Sequence, residues 1–444
     1  MTRARGHVRA RVAPLVGLVA LVATLASALV APTGAGAATL ESRIDRAVSR
    51  SGVAGSTSVY VWDQASRKVI YTRAPSRPVT PASTMKLLTG AAALQRLGPD
   101  HRFTTRVALQ GTQVGNRFLG DVWLVGGGDP SLSTFGFARA NYRSGGANLA
   151  MLVSPLVERG IEGVTGRIMV DDDLLDELRW VPEWKRSFRF DETGALGALT
   201  VNQSLTGRYV GTRSSHLPDI RAGEVFRDLL RRQGVYVAGD TVSGSLPPSA
   251  ELVGAVDSPP LADLVAHMTS TSDNFFAEIL LKDIAAYRAS EDGTSSTVNG
   301  GSSTVDGRRV ARAELTALGV DMSGVTWSDG SGLAYTNRVT ARSLGHVLGV
   351  GAQTPWGERW IAGFANSGRT GTLRRRMTAR PFYGRVFAKT GTLNHASALA
   401  GFAHRVGSNR RFGFAVVTSN PPGVGVSYTS AKRLQDRVAM TLVR

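Results

Sequence analysis

The stretch Pro81-Ala-Ser-Thr-Met-Lys-Leu-Leu-Thr-Gly90 places a serine three residues ahead of a lysine at the head of an apolar helix. A serine there is a natural N-cap, since its hydroxyl accepts from backbone amides that the first turn leaves unpaired. The spacing also carries a second meaning, because residues i and i+3 share one helix face and bring the Lys86 amine within reach of the Ser83 hydroxyl. A lysine that sheds its proton near neutral pH is a base for a serine nucleophile, whereas arginine keeps its proton. The choice of residue is informative in this chain: of 52 Lys plus Arg, only six are lysine, namely Lys68, Lys86, Lys185, Lys282, Lys389 and Lys432.

Two further signals bear on the first. Ser270-Thr-Ser-Asp-Asn-Phe-Phe-Ala-Glu278 contains Ser272-Asp273-Asn274 between two helical segments, and Ala388-Lys-Thr-Gly-Thr392 lies on an expected strand. In this order the three form the S-x-x-K, S-D-N and K-T-G set of penicillin-binding proteins and β-lactamases. Arg369-Thr-Gly-Thr-Leu373 nearly repeats Lys389-Thr-Gly-Thr-Leu393; the second copy is preferred because Arg385-Val-Phe-Ala388 gives it a strand and it carries one of the six lysines. From Ser83 to Ser272 is 189 residues, so a large insert lies between the first two motifs.

That layout resembles the class C low-molecular-mass penicillin-binding proteins, the D-alanyl-D-alanine carboxypeptidase/endopeptidase group of the penicilloyl-serine transferases. Leu124-Val-Gly-Gly-Gly-Asp-Pro-Ser-Leu132, Ala198-Leu-Thr-Val-Asn202, Ser328-Asp-Gly-Ser-Gly-Leu333 and Gly371-Thr-Leu373 look like the same group. The resemblance covers essentially the whole mature chain. It implies an exported enzyme that hydrolyses peptidoglycan stem peptides through a Ser83 acyl-enzyme and is acylated by β-lactam antibiotics. It further implies that Lys86 takes the Ser83 proton, that Ser272 and Lys389 pass one to the leaving D-alanine, and that Asn274 orients the substrate amide. Thr390 and Thr392 would hold the terminal carboxylate, Gly391 would let substrate lie against the strand, and the Ser83 and Thr392 amides would form the oxyanion hole. Asp273 reads as a capping or positioning residue. No Glu-x-x-Leu-Asn lies between Lys86 and Ser272 to supply the deacylating glutamate of a class A β-lactamase.

The fold expected is α/β (α+β): a β-lactamase/transpeptidase-like catalytic domain with an antiparallel sheet flanked by helices, interrupted by a large β-rich insert. Residues 38–105 and 256–444 would form the discontinuous catalytic domain, and 106–255 an inserted accessory region of two small β-rich domains. Helical spacing marks Leu40 to Arg50, Met85 to Leu97, Leu261 to Met268, Phe275 to Tyr287 and Thr429 to Leu442. Strand patterns mark Thr57 to Trp62, Lys68 to Tyr71, Ser397 to Ala403 and Phe412 to Thr418. Within the insert one helix, about Glu224 to Gln233, interrupts short β-like runs, and the Ser/Thr/Gly stretch Ser290 to Gly307 reads as a loop.

Composition bounds the function classes. With 444 residues, 42% hydrophobic and 19% charged, the chain is an ordinary globular one of two or three domains. Arg3, Arg5, Arg9 and Arg11 precede an apolar run from Leu15 to Val30 and the small residues Ala35-Gly-Ala-Ala38, the order of a secretory signal peptide over 1–37. A retained membrane anchor is the alternative. Zero cysteines mean that an exported chain folds without disulfides. The net charge of +18, about +14 once the four leader arginines are gone, suits an anionic envelope polymer or membrane surface better than nucleic acid; an arginine-rich solvated surface is the plainer reading. No metal or cofactor is expected: His-Glu-x-x-His is lacking, the histidines are scattered, and Gly126-Gly-Gly-Asp-Pro130 completes neither phosphate fingerprint and reads as a tight turn. A catalytically silent cell-wall-binding or regulatory protein, and a true β-lactamase, are the competing readings.

Overall fold

The structure is a computed structural model that describes residues 38–142, 145–206, 215–289, 295–297, 300–421 and 423–444. The expected leader, 1–37, and residues 290–294 and 298–299 of the expected 290–307 loop lie outside the described residues. Leu40–Arg444 is one compact unit.

The chain opens with helix α1 (Leu40–Ser49), strands β1 (Thr57–Asp63) and β2 (Val69–Arg73), a 3-10 turn at Ala82–Met85 and helix α2 (Lys86–Leu97). The insert follows as β3 (Thr104–Val114), β4 (Arg117–Val125), α3 (Phe135–Asn141), α4 (Ser154–Glu158), β5 (Gly163–Val164), β6 (Ile168–Asp171), α5 (Phe188–Asp191), α6 (Pro218–Arg232), β7 (Tyr236–Val237), β8 (Thr241–Ser243) and β9 (Glu251–Asp257). The return leg holds α7 (Leu261–Thr271), α8 (Asn274–Ala286), β10 (Tyr287–Ala289), β11 (Ser295–Thr297), α9 (Thr304–Ala317), α10 (Ala341–Gly351), α11 (Gly357–Ala362) and β12 (Ala365–Asn366). It closes with β13 (Val386–Leu393), β14 (Ala396–His404), β15 (Arg411–Ser419) and α12 (Tyr428–Val443).

The two ends of the chain meet in one sheet of order β12-β13-β14-β15-β1-β2, antiparallel throughout. Its central strands are nearly continuous apolar runs because both faces are covered. Period-2 alternation sorts them: Phe412, Phe414 and Val416 join the core under α1 and α12. Ala415 and Val417, with Ala398, Ala400 and Phe402, face α2, α7, α8 and α10. Helix α8 is apolar on every side, and all residues from Phe275 to Ala286 are buried, as expected for a helix enclosed by other elements.

Where two β-rich modules were expected, the strands from Thr104 to Asp257 hydrogen-bond into one seven-stranded sheet. It forks at β4, which pairs β5 at one end and β6 at the other, both parallel. The insert also holds more helix than its sequence suggested: α6 begins at Pro218, where proline pre-sets the first helical φ. The loop expected to run to Gly307 ends earlier, because Ser303 and Asp306 form a capping box that starts α9.

Candidate active site

The 3-10 turn and α2 place Ser83 and Lys86 on one face, with Lys86 Nζ 3.2 Å from Ser83 Oγ. The same nitrogen lies 2.7 Å from Asn274 Oδ1 and 2.7 Å from the Ser331 carbonyl oxygen. Both of those atoms only accept, so a neutral amine spends its two N–H bonds on them and turns its lone pair toward Ser83. Lys86 is fully buried, and burial brings its pKa down to about 8 against the upward pull of Glu278, Asp329, Asp273 and Glu192. Residue 83 follows Ala82, whose φ of +48° is unusual for a residue with a side chain. Gly332 allows this turn its seat, since a Cβ there would stand 2.0 Å from the Ala82 carbonyl oxygen.

Ser272 ends α7 in the left-handed region, at φ +70°, and accepts a 2.8 Å hydrogen bond from Lys389 Nζ. Lys389 also donates to the Thr390 carbonyl at 2.7 Å. Burial, then the charge of Lys86, holds the Lys389 amine well below its ordinary pKa. Asp273 caps α8 by accepting from the Phe276 amide and is held by Gln203 and His267. Its neighbour Asn274 spends its amide nitrogen on the Glu192 carbonyl, 3.0 Å away, and so is tied to the insert as well as to Lys86.

A cavity of about 300 Å³ is lined by Ser83, Ser272, Asn274, Thr390 and Thr392, with Glu192, Gly332, Leu333, Thr372 and Leu393. Every side chain or backbone position expected at the site is therefore brought to this one place, Lys86 and Lys389 through their bonds to the serines and Gly391 through β13. Gly391 is where the strand meets the nucleophile: a Cβ would fall 2.7 Å from the Pro81 carbonyl oxygen and 3.2 Å from the Ser83 nitrogen. Gly391→Ala should push β13 away from Ser83 and lower penicillin acylation by about tenfold or more, given how steeply rate falls with misplacement. Stopped-flow acylation rates of the variant and parent check this.

Some contributors were not legible from the motifs. Thr372 belongs to the near-copy Arg369-Thr-Gly-Thr-Leu373, which forms a 3-10 turn rather than a strand; its hydroxyl accepts from Thr390 Oγ1 at 2.9 Å. Glu278 accepts from the Gly330 and Ser331 amides at 3.0 and 2.7 Å and so holds the carbonyl that Lys86 uses. Burial, then Asp329, raises its carboxyl to about 8. Asp329 in turn accepts from Trp184 Nε1 at 2.8 Å and from Asn337 Nδ2 at 2.7 Å. A glutamate inside the apolar helix sequence Phe275-Phe-Ala-Glu-Ile-Leu-Leu281 was the available sign of the first; Glu192 left none.

An antiparallel sheet carrying Lys-Thr-Gly beside a Ser-x-x-Lys helix, with Ser-Asp-Asn closing the cleft, defines a serine-type penicillin-binding enzyme. The D-Ala-D-Ala carboxypeptidase 3 (S13) family matches residues 40–195 and 193–440, and the chain belongs to this family, as a class C low-molecular-mass penicillin-binding protein. A D-alanyl-D-alanine carboxypeptidase of Actinomadura sp. (strain R39) is 29% identical over 99% of this chain and 91% of its own. Penicillin binding protein 4 of Haemophilus influenzae has the same fold, with a TM-score of 0.72 at 18% identity over 87% of this chain and 96% of its own. A penicillin G-acylated predatory endopeptidase of Bdellovibrio bacteriovorus follows at TM-score 0.53 and 16% identity, over 87% and 91%. Among the described residues no helix is long and apolar enough to cross a membrane.

Proposed function

We propose that the protein is an exported D-Ala-D-Ala carboxypeptidase and endopeptidase that trims peptidoglycan stem peptides through a Ser83 acyl-enzyme and is covalently acylated by penicillin. The observation that carries this reading is the Lys86 amine, dry, bonded to two pure acceptors and aimed at Ser83. Ser83 Oγ attacks the carbonyl between the two D-alanines as its proton passes to Lys86. Ser272, hydrogen-bonded to Lys389, passes a proton to the departing amine, and burial, which holds the Lys389 pKa well below its ordinary value, makes Lys389 a readier proton donor to Ser272. Thr390 and Thr392 hold the terminal carboxylate, while backbone amides of Ser83 and Thr392 stabilise the tetrahedral oxyanion. The penicillin-acylated endopeptidase structure supports this reading by its shared fold, and the carboxypeptidase relative by its sequence.

Purified residues 38–444 should form a one-to-one covalent adduct with a fluorescent penicillin and release D-alanine from pentapeptide fragments. Cleavage of cross-linked dimers would add the endopeptidase activity. A folded protein that neither binds penicillin covalently nor releases D-alanine would overturn the reading and favour a silent cell-wall-binding role.

A further inference from the structure

The cavity contains a carboxylate that none of the three motifs supplies. Glu192 follows α5 in the insert, 109 residues beyond the nucleophile in sequence, yet lines the cavity together with Ser83. Asn274 Nδ2 reaches both its carbonyl oxygen, at 3.0 Å, and its Oε2, at 3.4 Å. The Oδ1 of that same asparagine accepts from Lys86. Glu192, Asn274, Lys86 and Ser83 therefore form a continuous polar chain along one wall.

Four carboxylates act on Lys86: Glu278, Asp329, Asp273 and Glu192. Three are committed elsewhere. Glu278 accepts from the amides of Gly330 and Ser331, Asp329 from those of Gly332 and Ala334, and Asp273 caps α8. Glu278 and Asp329 have no exposure, and none of the three lines the Ser83 cavity. Glu192 alone of the four does so. Glu192 is exposed to the solvent that must supply the water, and partial burial of its carboxyl raises its pKa above the ordinary value, with Lys86 pulling it back.

We propose that Glu192 is the general base of the hydrolytic half-reaction, an assignment that rests on the acyl-enzyme reading above. Glu192 takes a proton from a water molecule whose oxygen bonds to the acyl carbon on Ser83. The tetrahedral intermediate then collapses with cleavage of the bond from that carbon to Ser83 Oγ, which receives a proton from the Lys86 ammonium. The products are the free acid, the serine hydroxyl, a neutral Lys86 amine and a protonated Glu192. Release of the Glu192 proton to solvent, and uptake of one by the Ser272–Lys389 pair that protonated the leaving amine, restores the starting state with Lys86 neutral. One lysine thus serves as base in acylation and as acid in hydrolysis, and the insert completes the site.

The test uses the mature enzyme, Glu192→Gln and Glu192→Asp, each reacted with penicillin and followed by intact-mass spectrometry as the adduct forms and decays. Glu192→Gln is expected to acylate but to lose its adduct about 10²-fold more slowly, with the rise of decay rate with pH, seen in the parent as Glu192 ionises, abolished. Glu192→Asp should decay at an intermediate rate and keep that pH dependence. Parental decay in Glu192→Gln, or loss of acylation in that variant alone, would overturn the base assignment. Failure of the parent itself to acylate would instead sink the acyl-enzyme reading, and this step with it.

Discussion

Lys86→Arg should lower the rate of acylation by penicillin by about 10² to 10⁴, the range typical of general-base assistance, in a protein that still folds. The guanidinium keeps the positive charge and most of the length but presents no lone pair to Ser83. Its bulk costs about 1–3 kcal/mol through overpacking, since Lys86 has no exposure and contacts Asn274 and Ser331 as well as Ser83. Lys68 is exposed, and Lys68→Arg should leave both rate and melting temperature at the parental values. The pH dependence separates a base from a mere cation. With the Lys86 pKa at about 8, the neutral amine is the minor form at pH 7 and the major form at pH 9. Acylation by the parent should therefore rise roughly tenfold across that interval, and Lys86→Arg should lose the rise. A folded Lys86→Arg that acylates at the parental rate would remove Lys86 from the role of base.

The site could be read in the sequence to the extent that its chemistry is local. Ser83 and Lys86 are one helical turn apart, Ser272 and Asn274 flank a helix cap, and Lys389 through Thr392 follow one strand, so spacing alone groups each set. The strand assignment separated the true Lys-Thr-Gly from its near-copy, and the copy still reaches the cavity through Thr372 because the 3-10 turn beside β12 and β13 brings it there. What spacing does not carry is convergence across the chain. Ser331 reaches Lys86 directly and Glu192 reaches it through Asn274, both by tertiary folding, and no periodicity announces a carbonyl oxygen as a ligand. The sheet that unites β1 and β2 with β13, β14 and β15 was legible from its apolar runs. Helix α9 was hidden in a Ser/Thr/Gly-rich stretch, where turn-forming composition masked a capping box.

Removing 106–255 and joining its ends with a short linker should abolish folding, contrary to the accessory role that the β-rich pattern suggests. The insert roofs α8. Tyr142 meets the Phe276 ring edge-on at 5.4 Å, and the Leu178 carbonyl accepts from the fully buried Lys282 at 2.9 Å, with Asp176 its ion-pair partner. Gln203 holds Asp273 at 2.7 Å, and the Gly127 carbonyl accepts from Tyr287. Phe137, Tyr142, Leu175, Val181, Trp184 and Leu196 belong to the same apolar cluster as α2, α7 and α8. Burying a large apolar side chain is worth about 1.5–3 kcal/mol, so six of them are worth roughly 9–18 kcal/mol, as much as the whole net stability of a typical domain, about 5–15 kcal/mol. The deletion would also leave Lys282 without its carboxylate and Asp329 without the Trp184 donor, and uncompensated buried charge is costly in its own right. The expected result is insoluble protein, or a soluble one with no cooperative melt by circular dichroism and no labelling by fluorescent penicillin. A deletion variant that melts cooperatively and still labels would show that α7, α8 and the catalytic sheet close on their own, and that the insert is a module placed beside a finished enzyme.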